Sequence, residues 1–174
     1  MQNYRPISLT SIVVKVMETI IAAHLRAFLS NHKIIPSQQH GFMPGRSVIT
    51  NLLQCVHDWT YAIDRGDPVD VIYLDFSKDF DRGPKNRLLY KLNDVGIRGS
   101  LLAWLWVYLS DRVFRVQVGD KLSNFAQVSS GVPQGSVLGP LLFLIYVADI
   151  ACRIKSQSFF LADDPKLFSN PITK

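Results

Sequence analysis

The stretch that most constrains this chain is Phe159-Phe160-Leu161-Ala162-Asp163-Asp164-Pro165-Lys166-Leu167-Phe168. Two adjacent carboxylates repel each other and add little to folding, yet they stand between two short apolar runs. Each run has the length of a strand, and the acidic pair falls where the chain must turn. The segment therefore predicts a hairpin, strands 158–161 and 166–168, with Asp163 and Asp164 at its tip. A carboxylate at a strand end is exposed and rigidly aimed.

A second strand-end carboxylate lies 88 residues earlier. Val71-Ile72-Tyr73-Leu74 reads as a buried strand running into Asp75. Around these strands the pattern is mostly helical. Residues 11–29 place Ile12, Val13, Val16, Met17, Ile20, Ile21, Leu25, Phe28 and Leu29 at helical spacing, with Thr10 as N-cap and Lys15, Glu18 and Arg26 on the opposite face. Ser47 caps a helix with Val48, Leu52, Val56, Trp59 and Ile63, closed by Gly66. Pro84 opens a helix over Leu88, Leu89, Leu92 and Val95. Ser100 caps another, with Leu101, Leu105, Trp106 and Leu109 inward. Phe114, Val116 and Val118 alternate with Arg115 and Gln117 as a half-buried strand that returns over 125–128. A Gly/Pro-rich segment, "SSGVPQGSVLGP", leads into a helix around 141–150. Helices and strands mix without strict alternation, which predicts an α+β fold: an antiparallel sheet with helices on one face and a helical front piece.

Composition narrows the function classes. The 174 residues fit one domain, or one with a subdomain, and at 48% hydrophobic the chain is too apolar for disorder. Residues 1–50 hold five Lys/Arg against one acid, whereas 51–174 hold fourteen against thirteen. A basic front beside an acid-bearing centre suits a polyanion partner near a metal site. Cys55 and Cys152 form no CxxC, which argues against zinc and against a disulfide framework, and both read as core thiols of a reducing compartment. The N-terminus is no signal peptide, and the apolar runs 101–109 and 137–148 are short of the ~20 residues that cross a bilayer. The expectation is an intracellular protein, in cytoplasm or nucleus, not secreted and not in a membrane. Nothing in the sequence sets an oligomeric state.

Asp75, Asp163 and Asp164 would make an oxygen-ligand site for Mg²⁺ if their strands were neighbours. Two such ions ~3.5–4 Å apart serve phosphoryl transfer. The competing reading of each Asp is an ordinary turn residue. A two-metal nuclease or phosphohydrolase is a further alternative, but His24, His32, His40 and His57 all lie outside the aspartate motifs.

Five segments, in order, resemble the reverse transcriptase of a non-LTR (LINE-type) retrotransposon. "NYRPISLTS…K" (3–15) and "QHGFMPGRSVITNL" (39–52) are similar to its fingers motifs. "VIYLDFSKDFDRGPKNRLLYKL…GI" (71–97) is similar to its first palm motif. "VSSGVPQGSVLGPLLFLIYVADI" (128–150) is similar to its Pro-Gln-Gly motif, and "FFLADDPKLF" (159–168) to its Tyr-Ala-Asp-Asp hairpin. The resemblance implies a polymerase-type palm over 67–174, with fingers contributions, and partial helical fingers over 1–66. It implies RNA-directed DNA polymerisation on an RNA template and DNA primer from deoxynucleoside triphosphates, with Mg²⁺, for which Mn²⁺ can substitute. Asp75, Asp163 and Asp164 would be the catalytic metal ligands, joined by the Phe76 carbonyl. Phe80 would be the steric gate against a 2′-hydroxyl, Gln134 would touch the nucleotide sugar or template, and Arg5 and Arg46 would meet phosphates.

The chain departs from that pattern. Asp79 stands where the family has a small residue, Leu161 where it has an aromatic, Pro165 where it prefers Thr, Val or Ile, and Gly83 where valine is usual. Proline removes a backbone donor and pushes Asp164 toward extended geometry. Only six residues follow Phe168, so the expectation is a chain without the thumb that the resemblance implies. The expectation is a truncated, decayed copy that is weakly active or inactive, or a remnant that at most binds nucleic acid.

Overall fold

The computed structural model describes residues 7–75, 79–154, 156–162 and 164–169. In chain order the elements are α1 (Ile12–Asn31), α2 (Val48–Asp64), β1 (Asp70–Tyr73), α3 (Asp79–Arg82), α4 (Lys85–Asp94), α5 (Gly99–Leu109), the two-residue strands β2 (Val113–Phe114), β3 (Gln117–Val118), β4 (Lys121–Leu122) and β5 (Ala126–Gln127), α6 (Gly139–Arg153), β6 (Gln157–Leu161) and β7 (Asp164–Ser169). The chain is thus mixed helix and sheet, and its paired strands are antiparallel. It divides into two compact units, Met1–Phe28 with Lys78–Tyr146, and Leu29–Ser77 with Val147–Lys174.

In the first unit a buried carboxylate organises the start of α6. Glu18 is fully buried, and its Oε2 accepts the backbone N–H of Val137 (2.6 Å) and of Leu138 (3.1 Å). These are amide groups that the helix itself leaves unpaired, and the helix N-terminus favours a negative charge there. That contact fixes the roll of α1. The helix was expected to bury Ile12, Val13, Val16, Met17 and Ile20 and to expose Glu18. Its C-terminal part does as expected, with Leu25 and Leu29 buried and Arg26 exposed; the part up to Ala22 does the reverse, with Glu18 and Ala22 buried and those five apolar residues exposed. The cap also shifts by one residue, because Ser11 Oγ, not Thr10, accepts the Val14 N–H at 3.3 Å.

The same unit ties α3 to the segment before α6. Val132 N–H donates to Phe80 O (2.7 Å), Gly131 N–H to Gly83 O (2.8 Å) and Ser130 Oγ–H to Asp81 O (2.7 Å). Gly131 has φ +81, and a Cβ there would fall 2.3 Å from Phe80 O, so only glycine allows this approach. On α5, Leu105 and Leu109 are buried as expected, whereas Trp106 is half exposed, and the helix starts at Gly99 with Arg98 rather than Ser100 as its cap. The expected half-buried strand over 114–118 is instead two exposed ladders, β2–β5 and β3–β4. Ser123 breaks it: its Oγ accepts the Val116 N–H (2.9 Å) while its own N–H donates to Val116 O (2.9 Å).

In the second unit the sheet order is β1-β7-β6. Cys55 of α2, Phe159 of β6 and Phe168 of β7 form its core, with Trp59, Val69 and Val71 against them. The helix thus covers one face of the sheet, and fully burying a ring such as Phe159 contributes roughly 1.5–3 kcal/mol. Ser47 caps α2 as expected, in a reciprocal box with Thr50. The buried stripe is Asn51, Cys55 and Ala62, not Val48, Leu52, Val56 and Ile63, which are exposed. Asn51 turns inward because its Nδ2–H reaches Phe160 O at 3.4 Å and its Oδ1 accepts from Lys166 Nζ at 2.9 Å. Strand β1 is an exposed edge rather than the buried strand its apolar run suggested. Of the two expected core thiols, Cys55 is buried and Cys152 is exposed.

The inverted roll of α1 is directly testable. Glu18→Leu strands one buried and one part-buried N–H group and should cost roughly 1–3 kcal/mol in urea unfolding. Val16→Ser, on the exposed face, should stay within about 0.5 kcal/mol. Equal losses would mean that α1 buries its apolar face after all.

Candidate functional site

The site begins with strand register. β6 and β7 pair from Gln157↔Phe168 to Leu161↔Asp164, which leaves a two-residue loop, 162–163. β1 pairs with the far side of β7 from Asp70↔Ser169 to Tyr73↔Lys166. Leu74 N–H donates to Pro165 O at 3.0 Å, carrying the contact one step further. The ladder stops there, one residue short of Asp75 on one side and of Asp164 on the other. Both residues are exposed. Asp164 is thus the first residue of β7 rather than part of the loop.

Pro165 lies in the central strand, where proline is seldom tolerated. Its carbonyl faces β1, so its nitrogen does too. The missing donor therefore falls on the Leu74 carbonyl, the last one before Asp75. Pro165 is itself fully buried.

A loop from the other half of this unit grips the hairpin. Gln39 is buried, and its Oε1 accepts from Ala162 N–H (2.9 Å) and Gly41 N–H (2.8 Å), while its Nε2 donates to Ala162 O (3.4 Å). His40 N–H donates to Phe160 O (2.8 Å) and Phe160 N–H to Gln38 O (3.1 Å), a short parallel bridge along β6. The His40 ring bridges Thr50 Oγ1 (3.0 Å) and the Gln54 side chain (3.2 Å). Burial, then the Arg46 charge, hold its pKa below the usual histidine value, against the raising effect of the hydrogen bond the ring donates to the Gln54 amide oxygen.

The other expected site residues are placed as follows. Phe80 stacks on Phe143 of α6, ring centroids 4.3 Å apart at 20°, and is half-buried. Gln134 lies in the turn before α6; its backbone O accepts Ser8 N–H at 2.8 Å, and its side-chain Oε1 is buried without a hydrogen-bond partner. Arg46 Nη1 donates to the carbonyls of Ser37 and of Gln39, the latter at 2.7 Å, so this group braces its own loop. Arg5, Phe76 and Asp163 lie outside the described residues. Among the described residues no three His, Cys, Asp or Glu side chains gather as a metal site, and no helix is long and apolar enough to cross a membrane. The sequence reading missed Gln39 and Asn51, whose only outward signal is a polar side chain within a segment that folds onto a sheet.

A family model described as reverse transcriptase (RNA-dependent DNA polymerase) matches residues 1–173. The chain belongs to the reverse transcriptase family. Among curated proteins this reverse transcriptase chain is 33% identical over 165 residues to the probable RNA-directed DNA polymerase from transposon BS of Drosophila melanogaster. It is 34% identical over 167 residues to the corresponding protein from transposon X-element of the same organism. It is 32% identical over 148 residues to the RNA-directed DNA polymerase from its mobile element jockey. These alignments cover 95%, 93% and 85% of this chain but only 18%, 18% and 16% of the relatives. The chain therefore spans less than a fifth of their length.

The histidine beside the clamp predicts a pH effect. Its lowered folded pKa means the unfolded chain binds the proton more tightly. The stabilising contribution is complete above the unfolded value of ~6.5 and is lost as pH falls through that value toward the folded one. Thermal unfolding should drop more steeply between pH 7 and pH 5 in wild type than in His40→Gln; parallel curves would count against it.

Proposed function

We propose that this chain is the part of a non-LTR retrotransposon RNA-directed DNA polymerase that carries the catalytic aspartates, with 1–66 as partial fingers and 67–174 as palm with fingers contributions. The observation that carries this is the β1–β7 register, which runs to Tyr73↔Lys166 and on to the Leu74 N–H on Pro165 O, so that its continuation by one residue would bring Asp75 to Asp164, inside a chain of the reverse transcriptase family. Asp75 and Asp164 offer hard carboxylate oxygens, a donor set suited to Mg²⁺ or Mn²⁺. Asp163 and the Phe76 carbonyl complete the proposed set. When bound, the ions would supply Lewis-acid activation of the primer hydroxyl and charge neutralisation at the phosphates.

The chain's own groups do the rest. Gln134 presents a buried, unpartnered Oε1, an acceptor suited to a sugar hydroxyl or template base. Phe80, backed by Phe143, would crowd the 2′-position of the incoming deoxynucleoside triphosphate. Arg5 and Arg46 would meet phosphates of nucleotide or RNA template. The basic front, five Lys/Arg against one acid over 1–50, would favour the primer–template backbone.

One observation favours weak or absent activity. Pro165 takes the ladder donor away from the carbonyl that precedes Asp75, loosening the strand that aims that ligand. A ~1 Å misplacement can cost roughly 10²-fold in rate. Asp79 adds negative charge at the motif position where a triphosphate would approach.

Primer extension on RNA and DNA templates tests both statements. Wild type should extend weakly, Asp164→Asn not at all, and Asp79→Ala with Pro165→Thr at least ~10-fold faster than wild type. No template-dependent product from any of them would sink polymerisation by this chain. Equal rates for wild type and the double variant would sink the account of Pro165 and Asp79.

A further inference from the structure

The turn that presents the aspartates is held from outside its own hairpin. Ala162, the first loop residue, has φ +57. Two-residue hairpin loops take positive φ at that position, where glycine or asparagine is favoured. An alanine there costs ~1–2 kcal/mol unless its surroundings enforce the conformation. Among the described residues the hydrogen bonds to its backbone come from one side chain. The planar amide of Gln39 meets both backbone groups of Ala162, accepting its N–H at 2.9 Å and donating to its carbonyl at 3.4 Å. The loop comes close enough only because residue 41 is glycine: a Cβ there would lie 2.2 Å from Ala162 N. Gly41 N–H shares the same Oε1 at 2.8 Å, and Arg46 Nη1 holds the Gln39 carbonyl at 2.7 Å.

We infer that Gln39 is a positioning residue for the aspartate turn: by fixing the backbone of Ala162 it fixes the direction in which Asp164 presents its carboxylate to a divalent cation. This rests on the metal-site reading of Asp75, Asp163 and Asp164 above. The chemistry asks for glutamine. Glutamate lacks the donor for the Ala162 carbonyl, asparagine is one methylene short, and an apolar side chain satisfies neither group while leaving two buried N–H groups unpaired. Gln39 touches no substrate in this scheme and acts only through Ala162.

The test is Mn²⁺ binding by the whole chain, followed by loss of the free-ion EPR signal. Wild type should bind, and Asp164→Asn should lose most of that binding. Gln39→Met should bind about 10-fold more weakly while keeping a cooperative unfolding transition. Adding Ala162→Gly to Gln39→Met should recover part of the affinity, because glycine adopts positive φ unaided. A general loss of structure would not be rescued at that position. Gln39→Met binding Mn²⁺ as wild type does would overturn the inference. A wild type that does not bind, or an Asp164→Asn variant that binds equally, would overturn the metal reading and this inference with it, and that comparison does not involve Gln39. If Gln39→Met does not fold, hydrogen exchange of the wild type decides: a slow Ala162 amide supports the clamp, and a fast one overturns it.

Discussion

Everything proposed for this chain depends on the pairing of β1 with β7. An antiparallel ladder joins the strand before Asp75 to the hairpin that follows nearly ninety residues later. Its period of two also decides which side chains share a face, and a slip of one residue would turn every side chain of β1 to the opposite face. The core of this unit holds that register. Val71, opposite Phe168 in the ladder, belongs with it to the cluster on Cys55 and Phe159. The ladder weakens toward the aspartates, where Pro165 accepts from Leu74 but cannot donate back.

Two buried polar residues explain why α1 and α2 face as they do, and a third fixes the loop between them. Glu18 meets the amides ahead of α6, Gln39 meets the turn at Ala162, and Asn51 joins Phe160 to Lys166. Each satisfies backbone groups or charges that would otherwise be buried unpaired, at a cost of about 1–3 kcal/mol apiece. Rotating α1 or α2 to bury its larger apolar stripe would give up those bonds. The exposed stripe over Ile12, Val13, Val16 and Ile20 is the counterpart of a buried Glu18.

Part of this was legible in the chain. The hairpin over 158–168, the strand before Asp75, the Ser47 cap, the start and stop of α4 and the presence of α6 follow from local turn chemistry and short-range periodicity, which act within a few residues. The rolls of α1 and α2 were not legible, because both helices carry apolar residues around most of their circumference. Periodicity then selects the wider stripe, and the long-range hydrogen bonds of Glu18 and Asn51 select the other. The 114–118 strand failed for a related reason: alternation marked it as half-buried, but Ser123 splits it and nothing covers it among the described residues.

The sequence by itself determined the family, the identity of the acidic residues and where along the chain they stand, since motif order and residue type are properties of the string. The tertiary structure decided which residues meet: that β7 lies between β1 and β6, that Pro165 withholds its donor from the strand of Asp75, and that a glutamine some 120 positions earlier holds Ala162 in place. Those are pairings across long loops. No local propensity encodes them, because their energy exists only once the sheet has formed and its neighbours have closed on it.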